Sequence, residues 1–143
     1  MPRQQKRYCA KLVSDVLGGV EYKPGHRFSF LRGDPTFKRS KGVTLPVDAF
    51  YPDFKLVLEF REAQHYSDRV PLWDKRVTAT GQMRKEQRQK YDKRREEVLP
   101  ANGIKLLIIY DYEITDNYVS DLSTVRQKLK SMGLLIARMR ENG

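Results

Sequence analysis

The sequence predicts an α/β fold with a mixed central sheet flanked by helices, and three patterns predict it. Apolar residues recur at spacings of three and four near both ends of the chain, alternate with polar ones in the middle, and form one unbroken late run, Lys105-Leu106-Leu107-Ile108-Ile109-Tyr110. Spacing of three and four marks a helix with one buried stripe, alternation a strand with one buried face, and an unbroken run a strand covered on both sides. The resulting order is helix, strand, strand, strand, helix, strand, helix. It makes an antiparallel meander followed by a helical crossover to one more strand.

Met1 to Arg7 is basic and polar and reads as a frayed end. Ala10, Leu12, Val13, Val16 and Leu17 then stand at helical spacing, with Gly18-Gly19 as the stop. Between Gly19 and Gly42 the pattern is weak: Phe28, Phe30 and Phe37 alternate with polar groups, and Gly25, Gly33-Asp34-Pro35 and Ser40-Lys41-Gly42 mark turns. One short strand, Arg27 to Leu31, is placed there. Leu45, Val47, Ala49 and Tyr51 alternate with other residues, as do Leu56, Leu58 and Phe60, so strands 45–51 and 55–61 flank a hairpin turn at Pro52-Asp53-Phe54.

Residues 67–82, with Pro71, Trp73 and Gly81, read as an irregular excursion or lid. Arg84 to Leu99 is rich in helix formers, with Met83, Gln87, Tyr91 and Val98 as a thin packing stripe and Pro100 as the stop. The apolar run at 105–110 is the strand expected to be buried on both faces. A last helix begins near Asp116, buries Tyr118, Leu122, Val125, Leu129 and Met132, and ends at Gly133.

A length of 143 residues fits one domain, with a core over about 8–132. Hydrophobic residues at 39% and charged ones at 32% give a globular balance rather than a disordered one. The single Cys9 excludes an internal disulfide framework and an all-cysteine metal site. No apolar stretch has the length of a signal peptide or a membrane span, so a cytoplasmic setting is the expectation. With 28 Lys+Arg against 18 Asp+Glu, the net charge of +10 favours polyanionic partners such as nucleic acid over cationic ones.

The chemistry concentrates in and after the hairpin. If Tyr51 faces Leu56, then Asp48 faces Glu59, and directly opposed residues on an antiparallel pair have Cβ atoms about 4.5–5.5 Å apart on one side of the sheet. Two like charges so placed call for a proton or a cation between them, and a divalent metal held by carboxylate oxygens and water meets that need. Arg61 points the same way as Glu59. A metal that binds a phosphate oxygen and acidifies a water, beside a basic group that neutralises charge on phosphorus, is the equipment of phosphodiester hydrolysis. The alternative is a register slipped by one residue, or acids paired with Arg or Lys in a structural network.

His65, just beyond the strand with Gln64, has the side chain of a general base or of a structural hydrogen-bonding group. Glu62 is a further ligand candidate, and His26 reads as surface. The helix carrying Arg84, Lys85, Arg88, Lys90, Lys93, Arg94 and Arg95 also carries Glu86, Asp92, Glu96 and Glu97, so it is either a solvated face laced with ion pairs or a phosphate grip built from Arg84, Arg88 and Arg95. Arg3, Lys6 and Arg7, and the loop cations Lys38, Arg39 and Lys41, are equal candidates for phosphate contacts.

Val47-Asp48-Ala49-Phe50-Tyr51, a short turn, Leu56-Val57-Leu58-Glu59, then Gln64-His65, a charged helix and Asn102-Gly103-Ile104-Lys105-Leu106-Leu107-Ile108 together resemble the PD-(D/E)XK nuclease superfamily over roughly residues 43–112. The nearest flavour is that of very-short-patch-repair-like and small restriction-endonuclease-like domains. The resemblance implies a restriction-endonuclease-like αβββαβ core, a magnesium-dependent site that also accepts manganese, and cleavage of DNA. Asp48 and Glu59 take the family's two metal-binding acids. Arg61 stands where the family usually has lysine, and arginine stabilises negative charge without serving as a base near neutral pH. Gln64 or His65 then assists the water, or strand cutting has been lost. Asp15 or Glu21 is the place for an added acid from the first helix, and Glu62 occupies a position where the family often has glycine.

The function expected is metal-dependent DNA endonuclease activity. Its rivals are a nuclease-derived binding module without catalysis and an RNA-processing nuclease with the same site. A homodimer is compatible with cutting both strands of a duplex.

Overall fold

The computed structural model describes residues 2–63 and 75–135, with side chains described over 4–63 and 84–135. Its main sheet is mixed, in the order β1-β4-β5-β6, and a separate two-stranded sheet pairs β2 with β3. The elements run α1 (Pro2–Val16), β1 (Lys23–Pro24), β2 (Arg27–Arg32), β3 (Thr44–Pro46), β4 (Ala49–Tyr51), β5 (Leu56–Arg61), α2 (Lys75–Ala101), β6 (Lys105–Tyr110) and α3 (Tyr118–Ser131). This is an α/β fold, with three α-helices among the described residues, as the hydrophobic periodicities predict.

The hairpin register is the one the alternation requires. Tyr51 pairs with Leu56, Phe50 with Val57 and Ala49 with Leu58 in an antiparallel ladder. The turn between them is a 3-10 segment, Pro52–Phe54, closed by Lys55 at φ 48°, a left-handed conformation that lets the chain reverse in so few residues. Beyond it, α2 carries the chain back so that β6 lies parallel to β5, from Leu56 opposite Lys105 to Arg61 opposite Tyr110.

Two hydrophobic clusters fill the two faces of the sheet. Leu56, Leu58 and Phe60 point to one side, where Cys9, Leu12 and Val13 of α1, Leu17 just after it, and Val125 and Leu129 of α3 cover them. Val57 points to the other, toward Phe28, Leu31, Leu45, Val47, Leu99 and Ile104. Helix α1 is tied to the sheet by Tyr51, whose hydroxyl donates to the Ala10 carbonyl at 2.6 Å. It is tied to α3 by Tyr8, whose hydroxyl donates to the buried carboxylate of Asp121 at 2.5 Å.

Several expectations are corrected. Residues 2–7 are the first turns of α1 and not a frayed end. The span 45–51 is broken into β3 and β4 because Val47 N–H turns to the His26 carbonyl, and Gly25 N–H takes the carbonyl of Asp48. Strand β2 consequently pairs with β3 outside the main sheet, and the short β1 takes the edge beside β4. Helix α2 begins at Lys75, so 75–82 is helical; residues 67–74 of the expected excursion lie outside the described residues.

Pro100 sits within the last turn of α2 rather than ending it. On that helix Leu99 is fully buried, Tyr91 and Val98 are half-buried and Gln87 is exposed, while the side chain of Met83 lies outside the described residues. Strand β6 is an edge strand with only Leu107 and Ile109 buried, and the strand buried on both faces is β5. Tyr118 is exposed at the start of α3, where its hydroxyl reaches Asp15. No helix among the described residues is long and apolar enough to cross a membrane.

Candidate functional site

Continuing the ladder by one step places Asp48 opposite Glu59, on the face turned toward α2. Both acids line a cleft of about 490 Å³ together with Lys6, Pro46, Phe60, Arg61, Glu62, Arg88, Asp92 and Arg95. The break between β3 and β4 leaves the Asp48 side chain to act as a strand partner: its Oδ2 accepts the Phe60 N–H at 2.7 Å. Its Oδ1 lies 3.0 Å from Lys6 Nζ, which arrives from α1.

Glu59 is 6% exposed, and its Oε1 lies 2.8 Å from Arg95 Nε of α2 without accepting a hydrogen bond of good geometry. Burial first, and the neighbouring charge of Asp48 second, push the Glu59 carboxyl well above the ordinary carboxylate range; Arg95 pulls the other way and does not cancel them. A buried acid with this environment is stable only if it keeps a proton or gains positive charge. That is the electrostatic setting in which a cation adds most.

Arg61 is also 6% exposed and is engaged with α2. Its Nη1 lies 3.2 Å from Glu96 Oε2, its Nη2 donates to the Asp92 carbonyl at 3.2 Å, and its Nε lies 3.7 Å from Asp92 Oδ2. Arg95, expected as a phosphate grip, is instead half-buried and committed to Glu59, to Asp92 at 3.1 Å and to the Pro46 carbonyl. The cause lies in the helix: Asp92, Arg95 and Glu96 stand three and four apart, so one face of α2 presents both signs to the sheet. Arg88, one turn earlier, is exposed at the mouth of the cleft.

The polar end of β5 is held by the neighbouring strand, since Asp111, just past β6, accepts the Ala63 N–H at 3.1 Å. That anchor sets the position of Glu62, which lines the cleft as its placement after the strand suggests. Gln64 and His65 lie outside the described residues. Asp15 and Glu21 do not line the cleft: Asp15 accepts from the Tyr118 hydroxyl, and Glu21 is exposed. Lys38, Arg39 and Lys41 are exposed on the loop joining β2 and β3, away from the cleft lining, and Arg84 is exposed on α2.

Lys6 is the site residue that the sequence reading placed only among loose terminal cations. The signal was available in its phase: it stands three and four residues before Cys9 and Ala10, but on a segment read as frayed. His26 was also misjudged, because it is half-buried, stacked on Phe50 at 5.0 Å and edge-on to Phe28 at 4.6 Å.

Asp48 and Glu59 fit a divalent cation in donor chemistry, as hard oxygen ligands lining one cleft, one of them buried with an oxygen lacking a hydrogen bond. Among the described residues no cluster of three or more His, Cys, Asp or Glu forms a fuller ligand set, so water or substrate oxygens would complete the coordination. Comparison with protein-family models, curated proteins and solved structures finds no match to this chain.

Proposed function

We propose that the protein is a metal-dependent phosphodiester hydrolase of the PD-(D/E)XK type, acting on DNA. The observation that carries the reading is the meeting of Asp48, just before β4, with Glu59 of β5 in one cleft, where Glu59 is buried and its carboxyl stays well above the ordinary range despite Arg95. Strand order and the α2 crossover support a restriction-endonuclease-like core, and the net charge of +10 supports a polyanionic substrate.

The cleft lining holds four cations, Lys6, Arg61, Arg88 and Arg95, and four acids, Asp48, Glu59, Glu62 and Asp92. A balanced cleft has little pull on a phosphodiester, and charge must be added before one is held there. Asp48 and Glu59 are the residues that would hold magnesium or manganese, which supplies a polarised phosphate oxygen and an acidified water. Lys6, anchored by Asp48 and 45% exposed, is placed to neutralise charge that develops on the phosphate. Arg61 orients α2 against the sheet through Asp92 and Glu96. Arg88 at the mouth contacts the flanking phosphate.

A second reading rests on a specific observation: each acid already has a cation within 3.0 Å, Lys6 at Asp48 and Arg95 at Glu59. In a nuclease-derived binding module these two side chains would do permanently what a metal does in an enzyme. Supercoiled-plasmid nicking in magnesium or manganese separates the two. The nuclease reading expects cleavage by the native chain and none by Asp48→Ala or Glu59→Ala. Cleavage that survives both substitutions overturns the site, and absence of cleavage on plain, nicked, mismatched and branched DNA leaves the binding module.

A further inference from the structure

We propose that the β2–β3 sheet and its connecting loop form a stacking platform for the unpaired bases of single-stranded nucleic acid. The inference rests on the nucleic-acid reading above for the identity of the polyanion and not on catalysis. Phe30 is 39% exposed and stacks on Phe28 with ring centroids 5.0 Å apart and planes 26° from parallel. Phe28 meets Phe50 edge-on at 4.8 Å, and Phe50 in turn stacks with His26. The buried Phe28 ring backs one face of Phe30. Its open side is presented to solvent already ordered, which lowers the entropy cost of stacking a base there.

The loop from β2 to β3 adds a fully exposed phenylalanine, Phe37, beside Lys38, Arg39 and Lys41, all exposed. The loop is not a slack excursion. Its one acid, Asp34, is tied to Lys90 and Arg94 of α2, each at 2.7 Å, and these contacts hold its carboxyl below the usual range. Asp34 N–H also donates to the Tyr91 hydroxyl, and a Cβ at Gly33 would lie 2.9 Å from that oxygen, so the loop base is packed on the helix. With Asp34 neutralised, the outward charge of the loop is positive and interleaved with an aromatic ring.

Flat rings alternating with cations match a partner that has open π-faces along an anionic backbone. Duplex DNA offers the backbone but hides the base faces. The inner end of the ring ladder, Phe50, pairs with Val57 of β5 and is two residues after Asp48 in the chain. The ligand so described is a strand with unpaired bases.

The test is fluorescence anisotropy with the native chain in EDTA, which silences cleavage, using labelled oligo(dT), a hairpin duplex of equal length and a polyglutamate peptide at 0.15 M salt. The platform predicts at least about tenfold tighter binding of oligo(dT) than of duplex or peptide. It also predicts a loss of about tenfold or more in Phe30→Leu combined with Phe37→Ser, with Phe30→Tyr near native. Phe37 is fully exposed, so Phe37→Ser alone, which leaves the core untouched, must weaken oligo(dT) binding. Equal binding of single strand and duplex, preference for the peptide, or indifference to both Phe substitutions overturns the proposal. Plasmid nicking reports separately on the nuclease reading, so either one can fail without the other.

Discussion

Strand β5 buries all six of its residues, yet its two faces are closed by opposite chemistry. Leu56, Leu58 and Phe60 meet hydrocarbon from α1 and α3. On the other face Val57 is followed by Glu59 and Arg61, which meet Asp92, Arg95 and Glu96 of α2. The apolar face gains free energy by leaving water. The charged face loses solvation and recovers it only through partners whose geometry must be right. Stability and chemistry are thus separated by the thickness of one sheet, and substitutions along one strand should fall into two classes.

The largest expected effect is on the apolar face. Leu58→Ala should lower unfolding free energy by about 2–5 kcal/mol, read by urea denaturation, with the nicking rate of the remaining folded fraction little changed. A loss of under about 1 kcal/mol would mean that this face is not the structural one. On the charged face, Lys6→Ala should leave the fold intact and slow nicking by about 10²–10³-fold, or roughly 2.7–4 kcal/mol of barrier. An unchanged rate would hand charge stabilisation to Arg61 or Arg88.

Asp121 tests whether a buried charge can belong to the structural side. Burial raises its carboxyl, but hydrogen bonds from Tyr8 and from the Thr115 backbone and hydroxyl outweigh it, and the net shift is downward. Its contribution is therefore present above the unfolded value of 3.8 and lost as pH falls through the lower folded value. Asp121→Asn should cost about 1–3 kcal/mol at pH 7, and the gap from native should narrow in acid. A gap independent of pH would show that ionisation is not what matters there.

The smallest effect has the opposite sign. The Glu59 carboxyl is raised above its unfolded value of 4.5, so the metal-free protein loses stability as pH climbs above that value. Glu59→Gln, which removes the buried charge while abolishing nicking, should raise Tm at pH 7 by a few degrees, corresponding to about 1 kcal/mol, with less gain at pH 4. Magnesium should raise the Tm of the native chain and not of the variant. A drop in Tm for Glu59→Gln would mean that Arg95 compensates Glu59 fully and that the charged face is structural as well.

The contrast between the faces also explains what was legible in the sequence. Period-two alternation placed Leu56, Leu58 and Phe60 together, and the short turn set the register that brings Asp48 and Glu59 opposite each other, because both follow from local geometry. The partners that cross the sheet did not show. Whether Arg61 meets phosphate or Asp92, and whether Arg95 grips a ligand or Glu59, depends on how α2 lies on the sheet, which no local pattern encodes. Lys6 was missed because the start of α1 is polar: the sheet and α3 against which Tyr8, Cys9 and Ala10 pack are distant in sequence, so the segment looks like a tail when read alone. The division of 45–51 into β3 and β4 turns on the His26 and Gly25 backbone contacts, again between segments distant in sequence.

The link between Tyr8 and Asp121 bears on when the cleft comes into being. Helix α1 precedes the sheet in the chain, and α3, the helix that fixes it in place, follows the sheet. The segment up to β5 carries both acids and Lys6, but Arg95, opposite Glu59, and Asp121, which anchors Tyr8 of α1, lie beyond it. The cleft lining joins Lys6 from before the sheet to Arg88, Asp92 and Arg95 from after β5, so it is whole only when α1 and α2 are both docked on the strands that carry the acids.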